Sequence, residues 1–180
     1  NNNMDWGILG SLYRGDQACN NISEFVMYPS DEFSNRVLIE DNINGYYNLY
    51  QGTGTPTSGF LFDYQNASAA YSLRALASYD NGFIPVVVRV RRSSDNNVLD
   101  FTSAQITDGS LENWVGAGND GFVVIWYDQS GNENNALQSS TGNQPKIISN
   151  GSLILDNGKP SIDYSIGGND NLGLTRSIND

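Results

Sequence analysis

Residues 121–132 read Gly121-Phe122-Val123-Val124-Ile125-Trp126-Tyr127-Asp128-Gln129-Ser130-Gly131-Asn132. A run of large apolar and aromatic side chains followed at once by Asp-Gln-Ser-Gly-Asn is the grammar of a buried strand ending in a loop. The same grammar recurs outward from it. Strands are predicted near 85–92, 98–102, 122–127, 136–138, 145–149, 153–156 and 161–164, separated by turn signals such as Asp80-Asn81-Gly82, Ser130-Gly131-Asn132 and Asn157-Gly158. Composition agrees. The chain holds 24 Asn, 19 Gly and 15 Asp against 5 Glu, and its only lysines are Lys146 and Lys159. Helices favour Ala, Leu, Glu and Lys, so this vocabulary predicts an all-β domain of short strands. At 180 residues and 38% hydrophobic, the chain is large enough for a real core.

Two stretches depart from strand grammar. After a strand at 22–28 closed by Pro29, Ser30 or Asp31 caps a predicted amphipathic helix near 31–47, with Val37, Leu38, Ile39, Ile43, Tyr46 and Tyr47 at helical spacing. A short second helix is predicted near 67–77 from its Ala and Leu content. Residues 51–59 carry no large apolar side chain and read as a connector.

Charge and residue usage exclude several functions. A net charge of −11 argues against nucleic acid as a partner. The absence of histidine removes a Ser-His-Asp triad, a Cys-His pair and His-ligated zinc. Carboxylate chemistry, oxygen-ligated metals and one thiol remain. Cys19 has no cysteine partner in the chain and no cation nearer in sequence than Arg14, so it reads as an inert thiol. No apolar run reaches membrane-spanning length, so no membrane insertion is expected. The chain starts at Asn1 without a signal-peptide pattern, which suits a processed product or a piece of something longer.

Three motifs carry candidate chemistry. Trp126, Tyr127, Asp128 and Asn132 together could form a carbohydrate platform, with aromatic faces burying sugar C–H groups and polar edges holding hydroxyls; the plainer alternative has Asp128 capping its own turn. Period-two spacing puts Arg89 and Arg91 on one strand face and Arg92 on the other, where they either pair with nearby aspartates or bind an anion. Calcium is the one cofactor considered, at the oxygen-rich loops 95–97, 128–135 and 167–171, although none has EF-hand spacing.

The runs Ala69-Ala70-Tyr71-Ser72-Leu73-Arg74, Val88-Arg89-Val90-Arg91-Arg92-Ser93-Ser94-Asp95 and Gly121–Asn132, then Gln144-Pro145-Lys146-Ile147 and Asn157-Gly158-Lys159-Pro160, occur in order over 67–165. Together they resemble the opening half of the arabinofuranosidase B catalytic domain, which implies a concanavalin-like, lectin-like β-sandwich jelly roll. The wording Arg-Arg-Ser-Ser-Asp and Trp-Tyr-Asp-Gln-Ser-Gly-Asn is more similar to non-catalytic copies in bacteriophage virion proteins. Ile22-Ser23-Glu24-Phe25-Val26-Met27-Tyr28-Pro29-Ser30-Asp31 resembles the closing strand of the same domain type, with the following helix. The end therefore precedes the beginning.

Two architectures account for that order. Residues 1–50 close one jelly roll, 51–66 link and 67–180 open another; or a single permuted, shortened or strand-exchanged sandwich forms. Half a sandwich with open edges is poorly stable, so association or a longer parent chain is expected.

The resemblance implies a glycosidase carboxylate pair, but the nucleophilic Glu falls in the missing middle. Tyr13 stands where the acid is expected, with Asp16 nearby and out of step. A retaining glycosidase needs two carboxyl groups about 5 Å apart. The leading expectation is therefore a non-catalytic structural module of a virion protein (capsid decoration, tail or fibre), in a virion or extracellular setting. Its expected partners are other virion proteins, copies of itself and a host-surface glycan. A secreted lectin-like carbohydrate-binding domain is the first alternative and an arabinofuranosidase-like hydrolase the second.

Overall fold

In the computed structural model, which describes residues 8–9, 21–28, 35–47, 59–64, 66–77, 85–164 and 170–174, the apolar run at 121–126 is the central strand of a large antiparallel sheet. In chain order the strands are β1 (Ile8–Leu9), β2 (Asn21–Ile22), β3 (Glu24–Met27), β4 (Ala69–Ser72), β5 (Val86–Arg92), β6 (Val98–Thr102) and β7 (Gly121–Trp126). There follow β8 (Ala136–Leu137), β9 (Lys146–Ser149), β10 (Ser152–Leu153), β11 (Leu155–Asp156), β12 (Lys159–Pro160), β13 (Ile162–Asp163) and β14 (Leu172–Leu174). The helices are α1 (Arg36–Tyr47), α2 (Phe60–Asp63), α3 (Ser103–Thr107) and α4 (Ser110–Val115).

β7 pairs along one edge with β5, which pairs in turn with β6; along its other edge lie β8 and β9. β14 and β1 continue the sheet from β8, and β13 and β2 continue it from β9. The β11–β12 hairpin turns through Asn157-Gly158, both at positive φ, which is why Asn-Gly occupies a two-residue turn there. The second sheet is the β3–β4 pair, with Val26 opposite Ala70 and Phe25 opposite Tyr71.

The main core lies between the two sheets. The large sheet contributes Val88, Val90, Phe101, Val123, Trp126, Ile147 and Ile162; Ala69, Tyr71, Phe25 and Met27 come from β3 and β4, and Ile106, Leu111 and Val115 from α3 and α4. Alternate residues of the small sheet, Val26 and Ala70, face a second cluster with Ile39 and Ile43 of α1 and Phe60 and Leu61 of α2. The chain is thus an all-β sandwich with a helical layer over its smaller sheet. Among the described residues no helix is long and apolar enough to cross a membrane.

The short helix expected at 67–77 is corrected by β4. Ala69 to Ser72 are buried on both faces, and methyl side chains let the main core and the α1–α2 layer approach one strand closely. Such burial outweighs a helix preference of a few tenths of a kcal/mol per residue. Between the strands expected at 98–102 and 122–127, where no helix is predicted, the chain forms α3 and α4, with Thr102 and Gln105 making a reciprocal capping box. The amphipathic helix expected at 31–47 is described from Arg36 to Tyr47, and 31–34 lie outside the described residues. Within the stretch expected as a linker, α2 forms one turn that buries Phe60, and its Leu61 N–H donates to the Leu76 carbonyl. Residues 51–58 lie outside the described residues.

The amino-terminal strands pair with strands far along the chain: β1 with β14, β2 with β13, and β3 with β4. β3 is anchored by Glu24, whose side chain is 4% exposed and accepts from Arg74 Nε at 2.8 Å, Arg74 Nη2 at 3.2 Å and Ser72 Oγ at 2.8 Å. Arg74 Nη2 also donates to Asn42 Oδ1 on α1, at 2.8 Å.

Candidate functional site

The four residues expected to form one carbohydrate platform are distributed by the fold among three places. Trp126 points inward, is 0% exposed and packs at a tilt against Tyr71 with ring centroids 5.8 Å apart. The expectation of a solvent-facing indole is thereby corrected: strand alternation gives Trp126 to the core and Tyr127 to the opposite face.

Asp128 and Asn132 seal a strand edge. β3 occupies one edge of β4, and the other edge meets the loop at 128–135 rather than a further strand. Buried backbone groups must still be paired, and the loop pairs them. Asp128 Oδ1 accepts from Ala70 N and Ser130 N, both at 2.8 Å, while Oδ2 accepts from Asn134 N at 3.0 Å and Ser130 Oγ at 2.8 Å. Gln129 uses its backbone N–H on Ala70 O, its Nε2 on Ser72 O and Arg74 O, and its Oε1 to accept from Leu76 N. Asn132 Nδ2 donates to Ala67 O and Asn134 Nδ2 to Ser68 O, each at 2.8 Å. Tyr71 Oη donates to Asn134 O. The densest polar motif of the chain therefore acts as a side-chain substitute for a neighbouring strand.

Tyr127 stands apart, on the outer face of the large sheet. Its Oη donates to Asp100 Oδ1 at 2.9 Å. Arg89 grips the same carboxylate with two parallel bonds, Nε to Oδ1 and Nη2 to Oδ2, both 2.7 Å. Arg89 opposes Asp100 on β6 and Ile125 on β7, and Ile125 opposes Leu137 on β8, so one row across the sheet reads Asp100, Arg89, Ile125, Leu137. The Arg89 guanidinium holds the Asp100 carboxyl below the usual carboxylate range, with help from Tyr127. Burial first, then the bond to Asp100, pushes the Tyr127 phenol up to about 12.

The arginine run divides as spacing predicted. Arg89 pairs with Asp100, and Arg92, on the other face, pairs with Asp95 and lies 4.8 Å from the Trp114 ring. Among the described residues Arg91 bonds only neutral acceptors, Gln144 Oε1 and Asn96 Oδ1 at 2.8 Å and Thr141 O at 3.5 Å, and sits 4.5 Å over Phe122; burial lowers its pKa. At the loops considered for calcium, Asp95 is engaged by Arg92 and Asn97, Asp128 by the donors named above, and 167–169 lie outside the described residues. No group of three or more potential metal ligands occurs among the described residues. Cys19, Tyr13 and Asp16 lie outside the described residues.

Asp100, Gln129 and Asn134 were not singled out from the sequence. Asp100 was accessible, because alternation through Val98-Leu99-Asp100-Phe101 puts it on the face opposite buried Phe101. Gln129 and Asn134 carried no local signal, since their partners are 53 to 66 residues away.

No family model matches the chain, and no curated protein matches it. Among solved structures, similarity is found to an arabinofuranosidase complexed with arabinofuranosyl-α-1,2-xylobiose, at 24% identity over 59% of this chain and 22% of that one, with a TM-score of 0.34. A GH54 α-L-arabinofuranosidase soaked with a cyclic sulfate inhibitor gives 22% identity over 63% of this chain and 24% of that one, with a TM-score of 0.36. The chain thus spans about a quarter of the length of either enzyme.

Proposed function

We propose that the chain is a non-catalytic structural and interaction module of a bacteriophage virion protein, in a capsid decoration, tail or fibre. Its partners in this reading are other virion proteins and further copies of itself. The observation that supports it most is the use of the polar motif at 128–135. Asp128, Gln129, Asn132 and Asn134 direct their hydrogen bonds at the backbone of 67–76 and at their own loop. A motif whose side chains are spent on sealing a strand edge builds a scaffold. The sandwich also takes strands from its amino-terminal segment, a mode of construction that suits modules assembled by strand addition.

The test is proteomic. Peptides of this chain are expected in purified particles at a stoichiometry typical of a structural protein, and their absence from particles would refute the assignment. The purified chain is also expected to release no chromophore from a chromogenic arabinofuranoside. Release that disappears in Asp16→Asn would restore the hydrolase.

A further inference from the structure

From the outer sheet face, we infer that Tyr127, Asp100 and Arg89 form a shallow binding site for a neutral sugar unit with vicinal hydroxyls, separate from the 128–135 loop. Tyr127 follows β7 with its backbone N–H bonded to Val87 O of β5 at 2.9 Å, so pairing continues past Trp126. Its hydroxyl nevertheless reaches Asp100 on β6, with β5 lying between. Neighbouring strands are about 4.8 Å apart, so the contact spans roughly 10 Å of sheet. A tyrosine covers that width only by lying along the sheet rather than standing out from it. In that position Tyr127 is partly exposed, so part of its ring is open to a ligand.

The surroundings of that ring match a sugar. At the hydroxyl end, the Arg89 and Asp100 side chains remain 37% and 33% exposed while paired. Arg89 Nη1 makes none of the hydrogen bonds seen for this residue among the described residues, and Asp100 Oδ2 accepts one. A free pair of N–H donors beside a carboxylate with spare acceptor capacity is the complement of two adjacent hydroxyls. Toward β8 the row continues through Ile125 to Leu137, which is 37% exposed and gives an apolar margin for C–H groups. The bidentate pair leaves the site nearly neutral, and Asp100 disfavours a carboxylate ligand, so uronic and sialic acids are selected against.

This site is independent of residence in a virion, because it is tested on the purified chain. An array of neutral and acidic glycans is probed first, and its best neutral ligand is titrated by saturation-transfer NMR. Wild type is expected to bind neutral glycans with weak, single-site affinity. Tyr127→Ala should lower affinity by about ten-fold or more, and Tyr127→Phe, which keeps the ring, by about three-fold. Arg89→Gln keeps Tyr127 on Asp100 and should cost about five-fold, a readout that stands even if Tyr127→Ala fails to fold. The inference is overturned by an array without neutral binders, by binding confined to acidic glycans, or by affinity unchanged in Tyr127→Phe and Arg89→Gln together.

Discussion

Removing the Asp128 carboxylate should open the sealed edge of β4. Its two oxygens accept from Ala70 N, Ser130 N, Ser130 Oγ and Asn134 N at 2.8 to 3.0 Å. Ser130 sits in the partly exposed loop and can turn to water; Ala70 and Asn134 are buried and cannot. Each buried donor left unpaired costs about 1–3 kcal/mol, so Asp128→Ala, which orphans two, should destabilise by roughly 2–6 kcal/mol. That is a large share of the roughly 5–15 kcal/mol of a typical domain. Asp128→Asn keeps one carbonyl oxygen but turns an amide toward the other donors, and should fall between wild type and Asp128→Ala. Gln129→Ala removes a second part of the same seal, so the double variant should lose less than the sum of the singles. Equilibrium urea unfolding at neutral pH measures all four variants. A change below about 0.5 kcal/mol for Asp128→Ala, the ordinary range for a surface substitution, would refute the edge-seal reasoning.

Glu24→Ala strips the partly buried Arg74 of its carboxylate partner and should cost about 2–4 kcal/mol by the same urea assay, because the charge left where α1, β3 and β4 meet is only partly reached by water. Asp100 is more acidic folded than unfolded, so its contribution is complete above pH ~4 and is lost as pH falls below that. Asp100→Asn should therefore flatten the acid limb of the stability profile. The Tyr127 phenol, raised to about 12 against about 10 unfolded, contributes fully below pH ~10 and loses its contribution as pH rises toward 12. Phenolate absorbance should show a tyrosine titrating near 12 that moves down in Asp100→Asn. Trp126→Phe should cost clearly less than the roughly 3–5 kcal/mol of Trp126→Ala in thermal unfolding, since it keeps most of the ring and removes an indole N–H that has no partner among the described residues.

The sequence disclosed those elements whose signal is local. β5, β7 and β9 fall where β-branched runs end in turn residues, β6 where apolar residues alternate about Asp100, and the Asn157-Gly158 hairpin falls where the dipeptide demands it. β4 was misread because alanine says little about its surroundings; the reason for a strand there is β3, some 45 residues earlier, and the loop at 128–135. The expected platform was legible as a set of residue types and not as a surface. Alternation alone separates Trp126 from Tyr127, whereas the partners of Asp128 and Asn132 are fixed by tertiary contacts 58 and 65 residues distant. The arginines were read well because i, i+2 spacing on a strand decides their faces directly.

The claim that most needs testing is that the amino-terminal segment completes the sandwich at β4. Val26 and Ala70 oppose each other in register, and the Leu73 N–H bond to Ser23 O places them at a non-hydrogen-bonded pair. Cα atoms at such a pair are about 4.5 Å apart, within disulfide reach. With Cys19→Ser removing the native thiol, Val26→Cys and Ala70→Cys should oxidise to one bond, mapped by mass spectrometry to residues 26 and 70. A cross-linked monomer would show the pairing within one chain, and a cross-linked dimer the same pairing exchanged between copies. Two thiols that stay free in the folded protein would contradict the account.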